Sequence, residues 1–268
     1  METVMARLSR RGFLGLGATG AATMAFQVVP SPARAQAGGF STVVDLTHTL
    51  TADFPTFEGQ PAIAIIPKYV IAENGYNLNT WTFEEHVGTH IDTPLHFSAE
   101  AGAVDVSQLP LESLVVPLFV IDVKEKAAAD ANYMLSVEDI TAFEAEHGAI
   151  PAGSCVAMNS GWAEKLGTDA FVGRTAEGGL NFPGFSKAAT DLLAERGAAG
   201  IAVDTISLDP GNSADFAVHY SWLPSGHWGM EGVANLDAVP AVGATIVVGA
   251  PKVATGTGGP TRLLALLP

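Results

Sequence analysis

The run HVGTHIDTPLH, from His86 to His96, is the stretch from which the rest of this chain is best read. Three of the seven histidines fall within these eleven residues, with Asp92 between them. A His-x-x-x-His spacing would put both rings on one helical face, but Gly88, the β-branched Thr89 and Ile91, and Pro94 argue against a helix. We expect instead the end of a strand, Thr80 to Glu84, running into a loop where Gly88 lets the backbone turn and aims His86, His90 and Asp92 at one point. Two imidazoles and a carboxylate with open positions suit zinc, manganese or iron, whereas calcium takes neutral nitrogen ligands poorly. Pro94 holds Thr93 extended, so His96 is expected to project beyond the ligand set instead of stacking back on it, and to serve as acid and base.

Further along, His219 in DFAVHY and Glu231 in WGMEGVANLD stand twelve residues apart. Glu231 has apolar neighbours, where an unpaired carboxylate is costly, so a cation is its natural partner. It could bridge two ions, with His219 binding the second. His227, in GHWG, reads as a loop residue, with a substrate contact as the alternative.

The remaining composition narrows the classes. The chain has 268 residues, 48% hydrophobic and 15% charged, enough for one globular core. A formal net charge of −15 gives no electrostatic footing for nucleic acid. With one cysteine, Cys155 in the apolar run CVAM, neither an intrachain disulfide nor a cysteine-rich metal cluster can form, and Cys155 itself reads as core. There is no GxSxG elbow and no Walker-type lysine loop.

At the N-terminus, SRRGFL (Ser9 to Leu14), an apolar stretch rich in glycine and alanine to Val29, and ARAQA read as a twin-arginine export signal, residues 1–35, cut after Ala35. A periplasmic location follows, with no membrane attachment once the signal is removed. GLGATG within it fits GxGxxG but follows no strand, so it is not a nucleotide motif. Residues 36–268 then form a single α/β domain. Strands are expected at Thr42 to Leu46, Ala62 to Val70, Thr80 to Glu84, Val115 to Val123, Val156 to Asn159, Gly200 to Asp204 and Ala244 to Val248. Helices are expected from Ser136 to His147, opened by a Ser136/Asp139 capping pattern, and from Ser186 to Arg196, stopped by Gly197.

HVGTHIDTPLH resembles the HxGTHxDxPxH signature of the cyclase family of metal-dependent hydrolases, which includes kynurenine formamidases and isatin hydrolases. The similarity continues through DLTHTLTADFPTFEGQP, GIAVDTISLDPG and GAPKVATGTGGPTRLLALLP. It implies a swivelling β/β/α domain, strand-rich with a few flanking helices, forming dimers or tetramers. It also implies one or two divalent ions, Zn2+ or Mn2+: His86, His90 and Asp92 on the first, Asp92 and Glu231 bridging, and His219 on the second. His96 becomes the proton donor and acceptor, and Phe57 stands where formamidases place a tryptophan against the substrate, with Glu58 making the rim acidic. Isatin hydrolases are similar at the C-terminal end but lack an acid at the Glu231 position, so Glu231 leans toward two metals.

The expected activity is hydrolysis of a small-molecule aryl formamide or cyclic amide by metal-activated water, with His96 near its ordinary pKa moving the proton. A periplasmic address weakens the kynurenine version. A lactone is the alternative substrate, and a periplasmic metal-binding protein without turnover is the non-enzymatic alternative. A carrier has no need of His96.

Overall fold

The runs Val115–Asp122, Cys155–Asn159 and Gly200–Val203 are almost continuously apolar, the pattern of strands covered on both faces. In the computed structural model, which describes residues 39–268, they form the parallel middle of a mixed sheet. The expected export signal and its GLGATG run lie outside the described residues. In chain order the strands are β1 (Thr42–Asp45), β2 (Ile63–Tyr69), β3 (Leu78–Phe83), β4 (His90–Asp92), β5 (Val115–Asp122), β6 (Met134–Leu135), β7 (Cys155–Asn159), β8 (Gly184–Phe185), β9 (Gly200–Val203), β10 (Trp228–Glu231), β11 (Ala244–Gly249), β12 (Gly258–Pro260) and β13 (Arg262–Leu267). The helices are α1 (Ile71–Asn74), α2 (Lys124–Ala129), α3 (Val137–His147), α4 (Lys187–Glu195) and α5 (Ala217–Trp222).

The nine-stranded sheet runs β1-β13-β11-β5-β7-β9-β10-β4-β12. Neighbours from β5 to β10 are parallel, and the pairs outside them are antiparallel. The connections between parallel strands carry α3, α4 and α5, whose Ile140, Phe143, Leu193 and Trp222 pack on Val156, Met158 and Ile201. Leu118, Cys155, Ala202, Met230 and Leu263 belong to a second apolar cluster, which continues onto β11 and β13. Cys155 is fully buried there, and burial pushes its thiol pKa up, as a core residue and not a nucleophile requires. The strand-rich α/β class read from the sequence is the one observed.

All seven expected strands are present, with ends moved by a residue or two, and α3 opens with the Ser136/Asp139 capping box. The reading of His86 to His96 needs correction. The strand before it covers Leu78–Phe83, and His90–Asp92 is itself a strand, held between β10 and β12. Three residues are too few to show a period of two, and the neighbouring glycine and proline hid it.

Trp228 on β10 lies opposite Gly200 on β9, and its ring fills the space a side chain would take: a Cβ at position 200 would come within 2.3 Å of the indole. Gly200→Ala should therefore overpack the sheet, lowering stability by about 1–3 kcal/mol. Thermal unfolding of the variant checks this, and a midpoint equal to that of the parent would contradict it.

Candidate metal centre

Alternate residues of a strand share a face, and β4 pairs with β10 so that His90 sits opposite Glu231 and Asp92 opposite Gly229. The register alone places His90, Asp92 and Glu231 together on one side of the sheet. Gly88 adds His86 by turning the loop at φ +69°, in a place where a Cβ would be 2.1 Å from Leu50. His219 arrives from α5. Each candidate ligand expected from the sequence is thus in one cluster, and His90, Asp92, His219 and Glu231 are all buried.

Each carboxylate faces two ways. Asp92 Oδ1 is 2.7 Å from His86 Nδ1 and 3.4 Å from His90 Nε2, while Oδ2 is 3.5 Å from His219 Nε2. Glu231 Oε2 is 3.3 Å from His90 Nε2, and Oε1 is 3.1 Å from His219 Nε2. The far sides of the rings fix which nitrogens are free. His90 Nδ1 donates to the Gly88 carbonyl at 3.0 Å, and His219 Nδ1 donates to Asp209 Oδ2 at 2.6 Å. His86 Nε2 meets Thr257 Oγ1 at 2.8 Å, and that hydroxyl gives its own proton to Glu85. Every ring therefore turns a lone pair toward the carboxylates.

The donor set fits a divalent cation. His90 Nε2 and Asp92 Oδ2 are buried with no hydrogen-bond partner, an expensive arrangement that an ion would relieve. Ligands at about 2.1 Å from one ion stand roughly 3–3.4 Å apart, close to the separations above. Without an ion, protons must do its work. Burial opposes a charged His90, yet Asp92 and Glu231 outweigh it and push its pKa up to about 10. His219 is raised in the same way against its burial, chiefly by Asp209, Asp92 and Glu231. Burial opposes the ionised carboxylates too, but the imidazoles hold both Asp92 and Glu231 below their ordinary values.

His96 differs from the expectation. Pro94 does keep Thr93 extended, but it also opens a single 3-10 turn, Pro94–Phe97, that folds His96 back onto His86. The rings stack with centroids 3.7 Å apart and planes 17° apart. Burial, reinforced by His86 and His219, lowers the His96 pKa to about 4 against the pull of Asp92 and Glu231, so it is not near its ordinary value.

His96 also lines a cavity of about 310 Å3 that opens onto His86, His219 and Glu231 and is walled by Phe57, Phe97, Phe216 and Ile206. Phe216 is held in a left-handed conformation, φ +50°, which sets its ring against Phe57, with centroids 6.1 Å apart. Glu58 and Glu84 are at the rim. His227 is elsewhere, stacked on Trp222 at 4.2 Å.

Residues 44–210 match the cyclase family model, described as "Putative cyclase". The chain belongs to the cyclase family. Among the relatives of this cyclase, an isatin hydrolase from Roseibium aggregatum is 32% identical over 84% of this chain and 92% of its own length. A kynurenine formamidase from Salinibacter ruber is 28% identical over 71% of this chain and 80% of its own. A crystal structure of an isatin hydrolase bound to the product analogue thioisatinate superposes with a TM-score of 0.79 at 30% identity, over 84% of this cyclase and 92% of that chain.

Sequence reading missed the residues that orient the cluster in this cyclase. Asp209 accepts from the backbone of Val218 and His219 as well as from the His219 ring, at 2.8, 3.1 and 2.6 Å. Glu85 and Thr257 hold His86 from outside. Asp209 stands in GIAVDTISLDPG and Thr257 in GAPKVATGTGGP, both singled out as similar to the family, but nothing in their spacing pairs them with distant histidines. Asp209→Asn should keep the fold while weakening divalent-metal affinity about 10–100-fold. Titration with Zn2+ or Mn2+ measures it, and parental affinity would remove Asp209 from this role.

Proposed function

We propose that this protein hydrolyses an amide bond next to an aromatic ring, a cyclic amide of the isatin type first and an aryl formamide second. The sequence reading put the aryl formamide first. What moves the cyclic amide ahead is that the isatin hydrolase relative is aligned over more of both chains. The phenylalanine walls of the cavity suit a flat ring in either case.

The observation that carries the reading is the pairing of a cation-ready cluster with a neutral imidazole at the same cavity. Bound Zn2+ or Mn2+ would be held by His86, His90, Asp92, His219 and Glu231, and would polarise a carbonyl and acidify water. The two-sided placement of Asp92 and Glu231 between His90 and His219 favours two ions over one. His96, uncharged at neutral pH, accepts the proton of the attacking water at its free nitrogen. Its depressed pKa makes the resulting imidazolium a strong acid, suited to protonating the departing nitrogen. Phe57, Phe97 and Phe216 exclude bulk water and orient the ring.

Metal analysis of the purified protein, followed by assays on isatin, N-formyl anilines and small lactones, tests the reading. His96→Ala should retain the metal and lose about 10²–10⁴-fold in turnover. Undiminished activity of that variant would withdraw its role, and silence of the metal-loaded parent on all three substrates would favour a metal carrier.

The pH dependence has a definite sign. A base with its pKa near 4 is already free of its proton at pH 6, so kcat/KM of the metal-saturated enzyme should stay level from pH 8 to 6 and fall only on further acidification. An acidic limb centred at the ordinary histidine value would contradict this assignment.

A further inference from the structure

The hairpin of β2 and β3 stands apart from the main sheet as a two-stranded sheet of its own. Such a pair is marginal in water without a covering layer. Yet every residue of β3 is exposed, as are most of β2, and among the described residues no segment covers them. The uncovered side chains are large and apolar: Ile65, Ile66, Ile71, Tyr76, Trp81 and Phe83, with Ile71 at the tip 64% exposed and Trp81 67% exposed. At the base, Ile65 and Trp81 overhang an apolar groove of about 420 Å3 that reaches Leu50 and Pro260.

We propose that this hairpin is the contact between two copies of the chain, paired about a two-fold axis so that the apolar tip of each approaches the groove at the base of the other. Three observations favour a second copy. The six side chains together expose roughly 800 Å2, half of the ~1,600 Å2 that a stable two-sided interface buries. Tip and groove lie on one chain, so a single antiparallel arrangement satisfies both at once and closes without leading to a filament. Charge selects the same surface: the chain has a net charge of −15, whereas Ile63 to Phe83 contains only Lys68 and Glu73 and is neutral. Two copies can meet there without setting acid against acid.

The test is the mass in solution of the full metal-loaded chain, measured by light scattering over a hundredfold range of concentration. The parent should have the mass of two chains. Trp81→Lys combined with Ile65→Lys should give the mass of one, and Ile71→Glu should raise the dimer dissociation constant at least tenfold. Leu111→Glu, equally exposed but away from the hairpin, should leave the dimer intact. Circular dichroism and metal content verify folding; should the double variant fail to fold, Ile71→Glu at the open tip carries the test. A monomeric parent would overturn the proposal, and hairpin amides protected from hydrogen exchange in that monomer would assign the cover to another segment of the same chain. Hairpin variants that remain dimeric while Leu111→Glu dissociates would overturn it as well.

Discussion

Two carboxylates, Asp92 and Glu231, are buried side by side on adjacent strands, and most of the molecule's unusual features answer that fact. Buried negative charge must be matched by positive charge, whether from an ion or from protons on nearby bases. His86, His90 and His219 crowd around the pair. A further layer, Asp209, Thr257, Glu85 and the Gly88 carbonyl, fixes the outward nitrogen of each ring so that the inward nitrogen stays available. The antiparallel register of β4 on β10 makes the juxtaposition unavoidable, because a slip of one residue would send His90 and Asp92 to the opposite face.

The chemistry and the walls are built on different supports. His90, Asp92 and Glu231 belong to strands inside the sheet, whereas Phe57, Phe97 and Phe216 sit in a loop, a 3-10 turn and a left-handed residue before α5. Rigid strands hold ligand atoms to within the tolerance a metal requires, while connecting segments can change their aromatic surface without disturbing them. Relatives that share this sheet and differ in substrate are what such a division permits.

Much of this was legible in the amino-acid order. The density of histidine around Asp92, and Glu231 among apolar neighbours, marked the ligand set because both patterns are expensive unless something binds. Seven strands announced themselves through β-branched runs. Strands β4, β10 and β12 did not, since strands of three or four residues carry little periodicity and take their conformation from the partners on either side. The same limit hid Asp209 and Thr257, whose importance lies in contacts with residues 10 and 171 positions away. Pro94 misled for a different reason: its effect on Thr93 was as expected, but the turn it begins directed His96 inward.

Strand β1 is hydrogen-bonded to β13 alone, so the first strand of the described chain has no place in the sheet until the last one exists. Thr257, which holds His86, likewise comes within a dozen residues of the C-terminus. During synthesis the histidine-rich segment therefore emerges long before its surroundings are complete. Assembly of the finished site is an event of the released polypeptide, and a nascent chain cut short before β12 would carry most of the ligands without the frame that holds them.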